Sequence, residues 1–315
     1  MEQRKCSIIV PVYYNAGSLE LLFSVIQKNV ITKFINLCFE VIFVDDGSGD
    51  NSFQILQSMQ NSNPKIIRVI KFTRNFGQYA AITSGLKFCS GDFAVVISAD
   101  LQDDPSLINN MISEYTNDYD VIIATREDRE ESFYRKMTSR FFYSMMKKLC
   151  FNNMPTGGYD YFLISRKVID FMVNNIETNP FIQGQILWSG FSVKFIKYTR
   201  KKRVYGKSRW TFAKKVKWLI DGLLGYSYFP IRLISVVGGI IALSGFIYAL
   251  TIVYDRLIGN VPFNGWAPIM ILILVLSGFQ MIMLGIIGEY LWRTLDQVRR
   301  RPLYIVQEII ADNDK

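Results

Sequence analysis

Short apolar runs alternate with amphipathic stretches over the first two-thirds of the chain, and two long apolar blocks dominate the final third. Ser7–Val12 is a nearly continuous apolar run closed by Pro11 and a turn at Asn15–Gly17, the pattern of a buried strand. Val41–Val44, Ile66–Phe72, Phe93–Ile97 and Val121–Ala124 read the same way. Between them, Glu20–Asn29, Asn51–Met59 and Tyr79–Phe88 place apolar residues at helical spacing. Short strands separated by helix-length segments predict an α/β fold with a mostly parallel sheet covered by helices on both faces. In such sheets ligands bind at the carboxyl ends of the strands. The polar clusters of this chain fall at those ends.

After Arg126 the alternation loosens. Glu131–Leu149 predicts a long helix in which Arg135, Lys136, Arg140, Lys147 and Lys148 are interleaved with Phe141, Phe142, Tyr143, Met145 and Met146. That mixture suits a membrane interface and an ordinary packed helix equally well. Thr211–Tyr228, directly before the first apolar block, is better placed to lie in an interface. Leu233–Tyr254 and roughly Ala267–Gly288 are uncharged, and each is long enough to cross about 30 Å of hydrocarbon. The short segment Asp255–Trp266 between them suits a hairpin that re-emerges on the starting side. The expected organisation is an α/β domain at 1–203, a basic juxtamembrane loop and interfacial helix at 204–230, two transmembrane helices within 231–290, and a cytoplasmic tail at 291–315.

The formal charge of +9 is unevenly spread. Eleven Lys/Arg and no acid lie between Lys194 and Lys217, and Arg293 with Arg299–Arg301 follows the second block, whereas the intervening loop carries only Asp255 and Arg256. Basic flanks and a nearly neutral loop predict two spans in the cell inner membrane, with the α/β domain and both termini cytoplasmic. The same charges would attract anionic lipid. No long apolar segment precedes Pro11, so no cleavable signal peptide is expected. The four cysteines, Cys6, Cys38, Cys89 and Cys150, lack zinc or redox spacing and predict buried free thiols.

Histidine is absent, so acid–base and metal chemistry fall to carboxylates, amides and hydroxyls. Asp45-Asp46, then Asp100 with Gln102, Asp103 and Asp104, and finally Asp160 form three acidic clusters beside predicted strands. Carboxylates on one sheet edge can hold Mg²⁺ or Mn²⁺ together with substrate phosphates. For Asp50, Asp103 and Asp104 helix capping is the favoured reading.

Four blocks occur in order: Ser7-Ile8-Ile9-Val10-Pro11-Val12-Tyr13, Val44-Asp45-Asp46-Gly47-Ser48, Arg74-Asn75-Phe76-Gly77-Gln78 and Ala99-Asp100-Leu101-Gln102-Asp103-Asp104-Pro105. Together with the apolar pair, the chain from Ser7 to Arg301 resembles the family-2 inverting glycosyltransferases of GT-A fold. Within them it is similar to the polyprenyl-phosphate branch that includes dolichyl-phosphate mannose synthases and bactoprenol glucosyltransferases. The resemblance implies that Pro11, Tyr13, Asp45 and Asp46 line a nucleotide-sugar pocket, the Asp pair reaching base and ribose. It implies that Asp100 and Gln102 hold a divalent ion, Mg²⁺ or Mn²⁺, bridging the donor diphosphate. Arg126, Arg135 and Ser139 resemble positions that grip the acceptor phosphate, and Lys207 and Arg209 lie in a basic loop that would fold over both phosphates. Asp160 is then the carboxylate left to orient the acceptor or accept a proton; its other candidate role is to cap the turn after Gly157-Gly158.

Two positions depart from the pattern. Ser98 stands where the metal block usually has a carboxylate, and Tyr13-Tyr14-Asn15-Ala16 replaces the usual Tyr-Asn-Glu. The expected function is inverting transfer of one sugar from a nucleotide-diphosphate donor to a polyprenyl phosphate such as undecaprenyl phosphate. The expected partners are those two substrates and the membrane, with a second copy of the chain as a further candidate and no nucleic acid. The alternatives are transfer to a non-lipid glycan and a weakly catalytic homologue that scaffolds a lipid-carrier assembly.

Overall fold

Five strands stand where the apolar runs predict them: β1 (Lys5–Val12), β2 (Cys38–Asp45), β3 (Ile67–Phe72), β4 (Phe93–Val96) and β5 (Val121–Asp128). The computed structural model describes residues 3–116, 118–128, 143–155, 158–178, 181–200, 220–258 and 266–312. Helices α1 (Leu19–Asn29), α2 (Ser52–Ser62), α3 (Gln78–Phe88) and α4 (Leu107–Glu114) join the strands. Two of the first three differ from the predicted segments by one residue, and α2 runs three residues beyond the predicted Met59.

β1 pairs in parallel with both β2 and β4, and β2 pairs in parallel with β3. The chain thus winds outward from β1 in both directions, which opens a crevice beyond the carboxyl ends of β1 and β4. α1, α2 and α4 cover one face: Leu22, Ile26, Leu56, Ile108 and Met111 pack with Ile8, Val41, Val69 and Val95 in one buried core. α3 lies on the opposite face, so close that a side chain at Gly85 would meet Ile9 Cγ2 at 2.4 Å.

The sheet is less parallel than expected. β6 (Tyr161–Ser165) runs antiparallel between β4 and β5, and β7 (Val193–Thr199) lies parallel to β5 at one edge. β6 is followed by α5 (Arg166–Asn174) and α6 (Ile182–Trp188). β7 escapes a sequence reading because Lys194 and Lys197 interrupt its apolar alternation, the mark of a half-buried edge strand. The opposite edge is closed by β8 (Val306–Ile310), antiparallel to β3. The described residues from 301 to 312, within the expected cytoplasmic tail at 291–315, therefore belong to the same compact unit as β1 to β7. All four cysteines are free, but only Cys6 and Cys89 are buried; Cys38 is exposed and Cys150 half-buried.

The second unit, residues 220–300, holds α7 (Phe229–Leu257) and α8 (Trp266–Arg299). Val236, Ile240, Leu243 and Phe246 of α7 are exposed, as are Met281, Ile282 and Leu284 of α8. A helix with outward apolar residues of this kind is suited to lipid. Both helices are long and apolar enough to cross a membrane. α8 has 34 residues, about 51 Å at 1.5 Å each, so it outruns the expected Ala267–Gly288 span. Its extension carries Arg293, whose guanidinium meets Asp221 at 2.6 Å and Glu289 at 3.0 Å. This member of the basic flank is neutralised within its own unit.

Candidate active site

The residues after β1 and β2 are laced together. Tyr14 N donates to Ser48 Oγ and Asn15 N to Ser52 Oγ, each at 3.0 Å, while Tyr13 N donates to Asn15 Oδ1 at 3.0 Å. Tyr14 sits in the left-handed region (φ 57), and a side chain at Gly49 would strike its hydroxyl at 2.6 Å. Gly47, at φ +66, is approached even more closely: a Cβ there would lie 2.5 Å from the carbonyl carbon of Arg74. The Asp45-Asp46-Gly47-Ser48 block thus requires glycine to let the Arg74–Gly77 loop pack onto it.

The Asp pair divides its work. Asp46 Oδ1 accepts from Phe76 N at 2.6 Å, and Oδ2 accepts from Gly77 N at 2.9 Å and Asn75 Nδ2 at 2.8 Å. Burial raises its pKa to about 6, against the pull of the Phe76 and Gly77 amides. Both Asp46 oxygens are engaged with this loop, a role different from the expected contact with base or ribose. Asp45 is fully buried at the end of β2. Its Oδ1 accepts a long bond from Ser48 N (3.3 Å), and its Oδ2 is buried with no hydrogen-bond partner. A buried carboxylate oxygen without a donor is costly, so Asp45 presents an acceptor for an incoming N–H or O–H group. Burial also raises the Asp45 pKa. Pro11 lies beside Val44 in the β1–β2 register, and both it and Tyr13 are half-buried at this edge.

Asp100 follows β4 at the same edge and is 8% exposed. Its Oδ1 accepts from Gln102 N at 3.2 Å across Leu101, which adopts φ 56. Among the described residues no three His, Cys, Asp or Glu side chains converge on one point, in keeping with Ser98 in the position of a carboxylate. Asp100 and Gln102 offer only oxygen donors on the protein side, which fits Mg²⁺ or Mn²⁺ better than a softer metal.

Asp103, expected as a cap, is instead fully buried. It accepts a hydrogen bond from the Tyr198 hydroxyl, and Arg200 Nε lies 3.0 Å from its Oδ1. Asp104 and Asp50, also expected as caps, lie just before the cap residues Ser106 and Asn51. Asp104 Oδ1 accepts from Ser106 N (3.0 Å) and Asp50 Oδ1 from Ser52 N (3.2 Å), turn bonds that lead into the helices. Tyr198 and Arg200 were hidden inside what reads as a basic run.

Asp160, just before β6, is ion-paired with Arg126 of β5. Its Oδ1 also accepts from Gln183 Nε2 of α6 at 3.2 Å. Arg126 Nε in turn donates to the Tyr198 hydroxyl at 3.4 Å. Burial alone would lower the Arg126 pKa, but Asp160, Tyr198 and Asp103 more than offset it and hold the guanidinium charged. Arg126, expected on the acceptor phosphate, is here the partner of Asp160. Arg135, Ser139, Lys207 and Arg209 lie outside the described residues, as does Gly157.

A wound α/β sheet with carboxylates after β2 and β4 has the architecture of GT-A glycosyltransferases. Residues 7–173 match the family described as glycosyl transferase family 2, and the chain belongs to that family. It is 35% identical over 310 residues, 98% of this chain and 95% of the relative, to an uncharacterised glycosyltransferase, YkcC, of Bacillus subtilis. It is 32% identical to an undecaprenyl-phosphate 4-deoxy-4-formamido-L-arabinose transferase of Photorhabdus laumondii, covering 98% of this chain and 95% of that one. With a bactoprenol glucosyl transferase of Shigella phage SfII it shares 30% identity over 96% of this chain and 98% of the other. A solved mannosyltransferase of Pyrobaculum calidifontis, in complex with GDP-Man and Mn²⁺, shares the fold with a TM-score of 0.50 at 17% identity, covering 70% of this chain and 63% of that chain.

Proposed function

We propose that the chain transfers a single sugar, with inversion, from a nucleotide-diphosphate donor to a polyprenyl phosphate at the cytoplasmic face of the membrane. The observation that carries this reading is a single chain holding both parts: a carboxylate-lined crevice at the ends of β1, β2 and β4, and two helices able to cross a bilayer. Relatives named for bactoprenol and undecaprenyl phosphate match it over nearly its whole length.

Asp45 takes a donor group of the nucleoside with its buried, unpartnered Oδ2, while Pro11 and Tyr13 wall the pocket. Asp46 acts at one remove by fixing the Arg74–Gly77 loop. Asp100 and Gln102 would hold a divalent ion, which when bound supplies positive charge to the departing diphosphate. Two protein ligands leave room for donor phosphates and water, the usual arrangement for Mg²⁺. The acceptor phosphate is already an anion, so no strong base is needed. Its oxygen forms the new bond to the anomeric carbon as the bond to the nucleoside diphosphate breaks. Positioning supplies most of the rate. Asp160 orients the acceptor, held by Arg126 and Gln183, and Arg135, Ser139, Lys207 and Arg209 grip its phosphate.

The test is a screen of nucleotide sugars against short-chain polyprenyl phosphate in detergent with Mg²⁺ or Mn²⁺, read by mass spectrometry. Addition of one sugar to the lipid is the expected result. Transfer only to a soluble glycan would overturn the acceptor assignment, and no turnover with any donor would favour a scaffolding role.

A further inference from the structure

The chain leaves α8 at Arg299 and within seven residues reaches β8, the edge strand beside β3. Three contacts at this point concern the donor crevice. The Tyr304 ring stacks on Phe72, with centroids 5.0 Å apart and planes at 11°. Phe72 is fully buried, and Phe76 meets it edge-on at 5.8 Å. Thr73 N donates to Ile305 O at 3.1 Å, immediately before the loop. Beyond them the β3–β8 register slips between Lys71 and Phe72, as at a β-bulge, which bends a strand and re-aims its side chains.

The Arg74–Gly77 loop is therefore gripped from two sides. Asp46 holds the amides of Phe76 and Gly77, and Tyr304, through Phe72, backs the Phe76 ring. Both aromatic pairs add attraction beyond simple burial. Asp45 and Asp46 are adjacent, and Gly47 touches Arg74, so a loop that shifts must disturb the pocket floor.

We propose that residues 302–310 are a working part of the donor site, with Tyr304 as a positioning residue that fixes the Arg74–Gly77 loop for nucleotide binding. The donor half of this inference rests on the function proposed above. The segment that follows the apolar helices thereby sets nucleotide affinity as well as ending the chain.

The test compares full-length wild type with Tyr304→Ala, Tyr304→Leu and Tyr304→Phe. Amide exchange by mass spectrometry should quicken at least tenfold across residues 73–78 in the Ala and Leu variants. Peptides from β5 and β6 should stay unchanged, and the Phe variant, which keeps the stack, should match wild type. Affinity for UDP or GDP with Mn²⁺, by titration calorimetry, should fall at least fivefold in parallel. No local change in exchange, or an equal change throughout the sheet, overturns the inference. A loosened loop with unaltered nucleotide affinity overturns its donor half. Wild type that binds neither nucleotide counts against the proposed function, and the exchange result still decides whether the tail holds the loop. If Tyr304→Ala does not fold, Tyr304→Leu, which keeps apolar bulk without a ring, supplies the same comparison.

Discussion

Arg126 and Asp160 form an ion pair whose two halves meet solvent very differently: the arginine side chain is 5% exposed and the aspartate 38%. The cation is sealed among Tyr198, Asp103 and Asp160, whereas the anion faces outward. The pair thus presents a carboxylate whose position is fixed from behind.

That asymmetry yields opposite balances of stability and activity. Asp160→Ala strands a buried guanidinium and should lower stability by about 2–3 kcal/mol. Asp160→Asn keeps an acceptor for Arg126 and should fold better, yet lose at least tenfold in turnover with nucleotide binding intact. Arg126→Met leaves Asp160 to water and should cost less stability while lowering turnover through misplacement. Denaturation curves and steady-state kinetics on the three variants check this. Unchanged turnover in Asp160→Asn would return that residue to a purely structural role.

Asp100 supplies the only carboxylate of the expected metal pair. Asp100→Ala should abolish transfer, and EDTA should do the same to wild type until Mn²⁺ or Mg²⁺ is restored. Mn²⁺ binding followed by electron paramagnetic resonance should weaken in the variant. Full activity of Asp100→Ala in metal-free buffer would remove Asp100 from the chemistry.

Asp46 predicts a pH dependence of stability. Its pKa stands at about 6 in the fold, above the ordinary 3.8, because burial disfavours the charge. A raised pKa means the fold favours the protonated form. The associated stability is present below about pH 4 and is lost as pH rises through about 6. The loss is on the order of 2–3 kcal/mol at most. Asp46→Asn should destabilise the protein at every pH, since its amide cannot accept all three bonds. The difference between the two proteins should therefore shrink as pH rises from 4 to 7, measured by denaturant titration. A constant difference would mean that Asp46 titrates normally.

Asp103 and Asp104 contrast a core carboxylate with a turn carboxylate. Losing the local turn bond of Asp104 to Ser106 N costs about 1 kcal/mol, whereas removing a buried carboxylate that faces Arg200 and Tyr198 should cost about 3 kcal/mol or more. Asp103→Ala should therefore melt much earlier than Asp104→Ala. Equal shifts would place Asp103 back at the helix end.

What was legible in the sequence follows from how local each signal is. β1 to β4 and α1 to α3 were readable because a buried parallel strand needs an uninterrupted apolar run and its helix a regular stripe. Asp45 and Asp100 were readable because they end such strands. The outer strands were not. β7 hides its alternation among lysines, β6 is too short to declare its direction, and β8 lies in a stretch that sequence alone separates from its partner β3 by more than two hundred residues. Asp103 reads as a cap for the same reason: its partner Tyr198 lies on the edge strand β7 and Arg200 directly after it. The division of labour between Asp45 and Asp46 was equally invisible, since it depends on which carboxylate faces the backbone of Phe76 and Gly77.

The pairing of β8 with β3 also constrains topology by parity. β3 is made before the first apolar helix and β8 after the second, yet they share backbone hydrogen bonds in one sheet. A hydrogen-bonded sheet of this kind cannot straddle a bilayer. The chain between them must therefore cross the membrane an even number of times. Among the described residues α7 and α8 are the helices long and apolar enough to do so, and as the crossings they span as a pair or not at all. No charge count enters that conclusion, and a reporter fused after Ile310 must report the same side as one inserted before β1.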